Sequence, residues 1–208
     1  MAMKSWTAKF AIAALCTTIF LACACSGKEP RNAAAARSGA IVCLGNSVTV
    51  GFGLNEKDAY PALLAGLTGR TVFNAGVSGD TTADALARLE SEVLARNPGL
   101  VIVELGGNDY LRQIPLSQTK ANLAAIITRL QTNGAMVAVV DPGGAVLMRE
   151  YSQAFAEVAK NQEALFFEHL LGNIMLKPTM KLDQVHPNAE GQKQLAVLMY
   201  KDLKKFLK

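Results

Sequence analysis

Leu100-Val101-Ile102-Val103-Glu104 is an unbroken apolar run that ends on a carboxylate and opens into Leu105-Gly106-Gly107-Asn108-Asp109. A strand with one wet face alternates apolar and polar residues. This run does not, so it reads as a strand covered on both faces. Similar short runs fall at 40–44, 70–74, 136–140 and 164–167. Between them, helical spacing predicts helices over 58–67, 82–96, 117–132 and 149–161, with a last helix over 189–206. Asn188 is a good N-cap for that helix, and Pro187 fixes the entry of the chain. Strand and helix alternate throughout. The expectation is therefore an α/β fold of three layers, α/β/α, around a five-stranded parallel sheet. Right-handed crossovers and chain length suggest a flavodoxin-like order 2-1-3-4-5, with ligands bound beyond the carboxyl ends of the strands.

The polar residues collect at those ends. Strand 1 is followed by Gly45-Asn46-Ser47-Val48-Thr49. Strand 2 is followed by Asn74-Ala75-Gly76-Val77-Ser78-Gly79-Asp80-Thr81, and strand 3 by Gly106-Gly107-Asn108-Asp109. In a 2-1-3 arrangement these ends are neighbours. Far downstream comes Asp183-Gln184-Val185-His186-Pro187. A serine hydroxyl is a poor nucleophile until a base removes its proton, and the base needs a carboxylate to fix its tautomer. If the late loop folds over the sheet edge, Ser47, His186 and Asp183 form such a triad. The backbone N–H groups of Ser47 and Gly79 and the side-chain amide of Asn108 are candidate donors for an oxyanion.

On these blocks the chain resembles the SGNH (GDSL) hydrolases, near their bacterial thioesterase, lysophospholipase and arylesterase branch. The resemblance runs over about residues 40–206. It places the family's serine, glycine, asparagine and histidine on Ser47, Gly79, Asn108 and His186, and its D-x-x-H aspartate on Asp183. It implies a serine esterase acting on lysophospholipids, aryl or alkyl esters and acyl thioesters, with no cofactor. A carbohydrate O-deacetylase on the same scaffold is a second reading. A non-catalytic envelope binding module is a third. The chain departs from the family in the first block, with Asn46 in place of aspartate and Val48 in place of leucine. Residues 141–147 are expected to line the acyl side of the cleft.

Other polar residues carry blander expectations. His169, the second of two histidines, reads as structural at a strand end or helix start. Asp80 and Asp109 read as loop or cap residues. The Gly45-to-Gly53 region lacks G-x-G-x-x-G spacing and Gly-Lys-Ser/Thr, which argues against a nucleotide site. No H-E-x-x-H or Cys/His cluster suggests a metal.

The chain opens differently. Lys4 and Lys9 precede an apolar run ending at Leu21, then Ala22-Cys23-Ala24-Cys25. That pattern reads as an export leader over 1–25, with Cys23 (or Cys25) as a lipidated cysteine, and residues 26–39 as a tether to the domain at 40–208. The implied location is the cell envelope, held to a membrane by a lipid anchor. Only Cys43 remains in the mature domain, which rules out an intrachain disulfide there and suits a small core residue. The formal charge of +4 falls to +2 once Lys4 and Lys9 leave, too little to imply nucleic acid. Lys201, Lys204, Lys205 and Lys208 read as a solvated helix face.

Overall fold

The computed structural model describes residues 29–143 and 148–208. The leader with Cys23 and Cys25, the start of the expected tether and residues 144–147 lie outside the described residues. Strands β1 (Ala40–Gly45), β2 (Val72–Gly76), β3 (Pro98–Glu104), β4 (Met136–Val140) and β5 (Leu165–Phe167) form one parallel sheet in the order β2-β1-β3-β4-β5. The expected architecture and strand order are both found. Around the sheet run α1 (Ser47–Val50), α2 (Tyr60–Thr68), α3 (Thr82–Ala87), α4 (Leu89–Glu92), α5 (Gly107–Leu111), α6 (Leu116–Thr132), α7 (Arg149–Asn161), α8 (Leu170–Met175) and α9 (Ala189–Leu203).

The continuous apolar strands feed two cores, because successive side chains point to opposite faces. Ile41, Cys43, Leu100, Ile102, Met136 and Ala138 pack with Leu64 of α2, Ile174 of α8 and Leu195 and Met199 of α9. Their neighbours Val42, Leu44, Val101, Val103, Val137 and Val139 pack with Leu89, Leu123, Ile126, Ile127 and Phe155. Cys43 is a core residue, and burial pushes its thiol up to about 12. Lys201, Lys204, Lys205 and Lys208 are exposed, as expected.

Several boundaries differ from those expected, and most of the differences accompany contacts made at long range in the sequence. The far half of the expected tether is part of the domain. Ala33–Arg37 form a 3-10 helix, Ala36 is fully buried, and the Asn32 amide donates to the carbonyls of Gln131 and Ala135. Strand β2 starts two residues later than expected, at Val72, and Arg70 ahead of it gives its guanidinium to the carbonyls of Ala36 and Gly39. The helix expected over 82–96 is three pieces, α3, α4 and a 3-10 turn at Leu94–Arg96. The first break falls at Arg88, whose guanidinium reaches Asp80 and the carbonyls of Gly45 and Ala75. Residues 170–175, to which the spacing assigns no helix of their own, form α8, with His169 at its start. No helix among the described residues is long and apolar enough to cross a membrane.

Candidate active site

Strand β1 ends in a turn with no room for a side chain. A Cβ on Gly45 would stand 2.0 Å from Thr49 Oγ1 and 2.7 Å from the carbonyl oxygen of Glu104. The chain then enters α1, whose first residue is Ser47. Asn46 caps it, accepting a bond from Val48 N–H at 2.9 Å. The departure from the family's aspartate therefore leaves the cap intact.

The base arrives from the other end of the chain. His186 Nε2 lies 3.0 Å from Ser47 Oγ across 139 residues of sequence. Its Nδ1 lies 2.8 Å from Asp183 Oδ2. The other carboxylate oxygen, Oδ1, accepts the backbone N–H groups of Val185 and His186, each at 2.8 Å. The loop closes on itself through Leu182 N–H to the His186 carbonyl and a bridge between Lys181 and Pro187. The imidazole bond first, then the Val185 N–H, holds the Asp183 carboxyl down at about 2.

Helix α9 sets the reach of this loop. Asn188 caps it through Gly191 N–H, as expected, and Gln192 on its first turn is almost fully buried. Gln192 donates to the Val48 carbonyl in α1 at 2.8 Å and accepts from Tyr60 N–H in α2 at 2.9 Å. One side chain thus fastens the element carrying the imidazole to the turn carrying the hydroxyl.

The remaining two blocks join the same crevice. Val77 N–H donates to the Gly45 carbonyl at 3.0 Å, which ties the loop after β2 to the serine turn. Gly79 has φ +88°, a left-handed conformation that glycine adopts without strain. Asn108 donates from Nδ2 to the Asp80 carbonyl at 2.9 Å, and its second amide hydrogen has no partner among the described residues. Asp109 is fully buried and accepts from the backbone and hydroxyl of Thr82 and from Thr119, clamping the β3 loop to α3. Asp80 is paired with Arg88 at 2.6 Å. Both aspartates are structural, as the sequence suggested.

Two features escaped the sequence reading. Phe52 stacks on the His186 ring with centroids 4.6 Å apart and 29° between planes. Its N–H donates to the Ser47 carbonyl at 3.0 Å, so the turn carrying the hydroxyl also supports the imidazole. An aromatic five residues after a serine carries no signal of this in sequence. The second feature is Glu104. It is 2% exposed and accepts from Asn46 Nδ2 at 3.2 Å and Thr49 Oγ1 at 3.0 Å, while Thr49 also meets the Tyr60 hydroxyl. A carboxylate ending an apolar strand was the available clue.

Burial pushes the Glu104 carboxyl from 4.5 up to about 7, against the hydrogen bonds from Thr49 and Asn46. The folded state therefore keeps a proton that the unfolded chain loses. The stability this group confers is complete below pH 4.5 and is lost as pH rises through about 7. Glu104→Gln keeps the shape and removes the titration. From pH 4 to pH 8, wild type should lose on the order of 2–3 kcal/mol relative to that variant in denaturant melts. Parallel stability curves for the two proteins would show that Glu104 does not titrate in this window.

His169 stands apart from the crevice partners. It occupies the N-cap position of α8, and its ring faces Asp141 and Glu168. Asp141 is fully buried and also accepts from Gly143 N–H and Ser152 Oγ. Of the segment expected along the acyl side, residues 144–147 lie outside the described residues.

Comparison with known proteins identifies the family and agrees with the fold. The family model described as GDSL-like Lipase/Acylhydrolase matches residues 43–194. The thioesterase 1/protease 1/lysophospholipase L1 of Escherichia coli (strain K12) is 33% identical over 179 residues, covering 81% of this chain and 85% of that protein. An arylesterase of Vibrio mimicus is 31% identical over 190 residues, covering 85% and 94%. Among solved structures, the psychrotrophic esterase EstA from Pseudoalteromonas sp., inhibited by monoethylphosphonate, superposes with a TM-score of 0.74. It is 26% identical, with 82% of this chain and 99% of that chain covered. Matched by that family model over most of its length, the chain belongs to the GDSL-like lipase/acylhydrolase family and is an ester-hydrolysing enzyme.

Proposed function

We propose that the protein is a serine esterase cleaving fatty-acyl esters and thioesters through an acyl-enzyme on Ser47. One observation carries this reading: the unbroken chain from Ser47 Oγ to His186 Nε2 at 3.0 Å and from Nδ1 to Asp183 at 2.8 Å. Ser47 Oγ attacks the substrate carbonyl as its proton passes to Nε2. Asp183 keeps the other proton on Nδ1 and stabilises the imidazolium. The oxyanion meets the N–H groups of Ser47 and Gly79 and the free amide hydrogen of Asn108. Collapse breaks the bond to the leaving alcohol or thiol, which takes the proton from Nε2. Water then repeats the sequence on the acyl-enzyme and frees the acid.

The relatives named thioesterase, lysophospholipase and arylesterase support a fatty-acyl substrate class. The apolar exposure agrees, since Phe52, stacked on the imidazole, and Leu182 and Val185 in the loop that carries it are each about half exposed. A fluorophosphonate probe tests the reaction, and the phosphonate-inhibited relative supports the choice. It should label wild type and spare Ser47→Ala. Folded wild type that takes no label would remove the esterase reading in favour of a binding module. Nitrophenyl acetate, octanoate and palmitate, with acetylated glycan alongside, test the substrate. Turnover confined to acetyl groups would favour the O-deacetylase.

Asn108→Ala should lower kcat by about 10²–10³, the usual effect of losing one oxyanion donor, with a much smaller change in KM. The acyl-enzyme burst is the measurement. An effect confined to KM would place Asn108 in ground-state binding.

We place the protein in the cell envelope as a lipoprotein, a reading supported by the basic and apolar leader and by Ala22-Cys23. Palmitate should enter wild type and fail to enter Cys23→Ser. Loss only in Cys25→Ser would move the anchor, and loss in neither would remove it.

A further inference from the structure

One turn carries an oxyanion donor and lacks the apolar packing that would hold it. Asp80 N–H donates to the Val77 carbonyl at 3.1 Å, closing a β-turn over Val77-Ser78-Gly79-Asp80. Gly79 takes its third position with φ +88°, the type II form. Val77 and Ser78 are exposed, so hydrogen bonds rather than apolar contacts fix the tip. In a type II turn the central peptide is the soft one. Rotating it gives the type I form, in which the third residue has φ of about −90° and its N–H faces the other way. Glycine reaches both at little cost. Here that peptide joins Ser78 to Gly79, and its N–H is the Gly79 oxyanion donor.

Helix α5 grips the far side of that glycine. Arg112 Nη2 donates to the Gly79 carbonyl at 2.8 Å, and Asn108 Nδ2 donates to the next carbonyl, that of Asp80, at 2.9 Å. Arg112 N–H in turn donates to the Asn108 carbonyl at 3.0 Å, so both grips come from one turn of backbone. The guanidinium also lies against the glycine itself: a Cβ on Gly79 would stand 3.3 Å from Nη2. Its Nη1 faces Asp84 at 3.8 Å, and Asp84 is itself held in the capping box of α3. Resting on the serine-esterase reading, we infer that Arg112 is a positioning residue of the oxyanion hole: it holds the Gly79 carbonyl so that the N–H of the same residue keeps one orientation relative to the Asn108 amide.

Exposure separates this task from bulk stability. Arg88 also serves the loop, through Asp80 and the carbonyls of Gly45 and Ala75, and its side chain is 17% exposed. That of Arg112 is 56% exposed, and its ion pair with Asp84 is long and screened, so its removal costs the fold little. A preorganised donor is worth most when it needs no rearrangement as charge develops. A loosened glycine keeps its N–H but spends part of the time with it turned away. The loss is therefore smaller than deletion of a donor, and it falls on the transition state, where the oxyanion develops. The ground-state ester carries no such charge, so KM moves little.

Arg112→Ala should lower kcat on nitrophenyl octanoate by about 10–100-fold, less than the loss of a whole donor, with KM within about three-fold. Arg112→Lys keeps the charge on a shorter reach. It should fall between alanine and wild type, and it carries the comparison if the alanine variant melts well below wild type. Arg129→Ala removes a similarly exposed guanidinium from an exposed ion pair with Glu90 and should change nothing. Millimolar guanidinium chloride should restore several-fold of the lost kcat in Arg112→Ala, and sodium chloride at the same ionic strength should not. Glycine-selective isotope labelling reads the donor itself by NMR. When a fluorophosphonate occupies Ser47, the Gly79 amide proton should move downfield in wild type and by less in Arg112→Ala. Four results in folded, fluorophosphonate-labelled Arg112→Ala would each overturn the positioning role: wild-type kcat, a change confined to KM, guanidinium rescue no greater than that of sodium chloride, or a Gly79 shift equal to that of wild type. Failure of wild type to label would instead overturn the esterase reading beneath it.

Discussion

His186→Ala is expected to lower kcat by on the order of 10⁵–10⁶-fold, with KM within a few-fold of wild type. Ser47 Oγ has the imidazole as its proton acceptor at 3.0 Å, and the same nitrogen later supplies the leaving-group proton. Both halves of the reaction stop when it is removed. The chain holds no substitute: His169 is the other histidine, and its ring is engaged with Asp141 and Glu168. In barrier terms the loss is about 7–8 kcal/mol. The fold should survive, because the ring's partners are Ser47, Asp183 and the half-exposed Phe52 rather than the core. A melting temperature within a few degrees of wild type, beside the collapsed kcat on nitrophenyl octanoate, would separate lost chemistry from lost structure. Turnover near wild type would strip His186 of the role of base.

What the sequence disclosed, and what it hid, divides by range. The run at 100–103 shows both faces of its strand covered without reference to any other segment. Asp183 and His186 also declare themselves locally, since three residues suffice to bring Oδ1 onto two backbone N–H groups and Oδ2 onto the ring. The cap at Asn188 is local in the same sense. The fold and the polar blocks were legible for that reason.

The misread elements answer to distant partners. The helix break at Arg88 accompanies contacts with the carbonyls of Gly45 and Ala75, the first of them 43 residues away. Ala33–Arg37 looks like a spacer by composition. It is held by Asn32 contacts about 100 residues away in the chain. Glu104 meets Asn46 across 58 residues, and Gln192 meets Val48 across 144. Neither pairing leaves a periodic or motif signal. Yet Gln192 helps set the serine–imidazole distance, so the reactive residues were readable while part of what positions them was not.

Asp183→Asn should reduce kcat by about 10⁴-fold, and the loop explains why so small a change does so much. In the wild type, Oδ1 is held by Val185 N–H and His186 N–H at 2.8 Å each, which leaves Oδ2 to accept from the imidazole. An asparagine must keep its carbonyl oxygen on those two donors, so its NH₂ group is turned toward Nδ1. A donor there forces Nδ1 to accept, and the ring proton moves to Nε2, the nitrogen that should be taking the proton from Ser47. The substitution thus inverts the tautomer without moving an atom of the backbone. Stability gives a control with a definite sign. The Asp183 carboxyl lies near 2 in the fold, below its ordinary 3.8, so its contribution is present above pH 3.8 and is lost as pH falls through about 2. Its side chain is 44% exposed, so that contribution is small, and the variant should melt close to wild type at neutral pH. Nitrogen NMR of the labelled imidazole reads the tautomer directly. The proton should sit on Nδ1 in wild type and on Nε2 in Asp183→Asn. A slow variant with its proton still on Nδ1 would mean that the carboxylate acts through its charge alone.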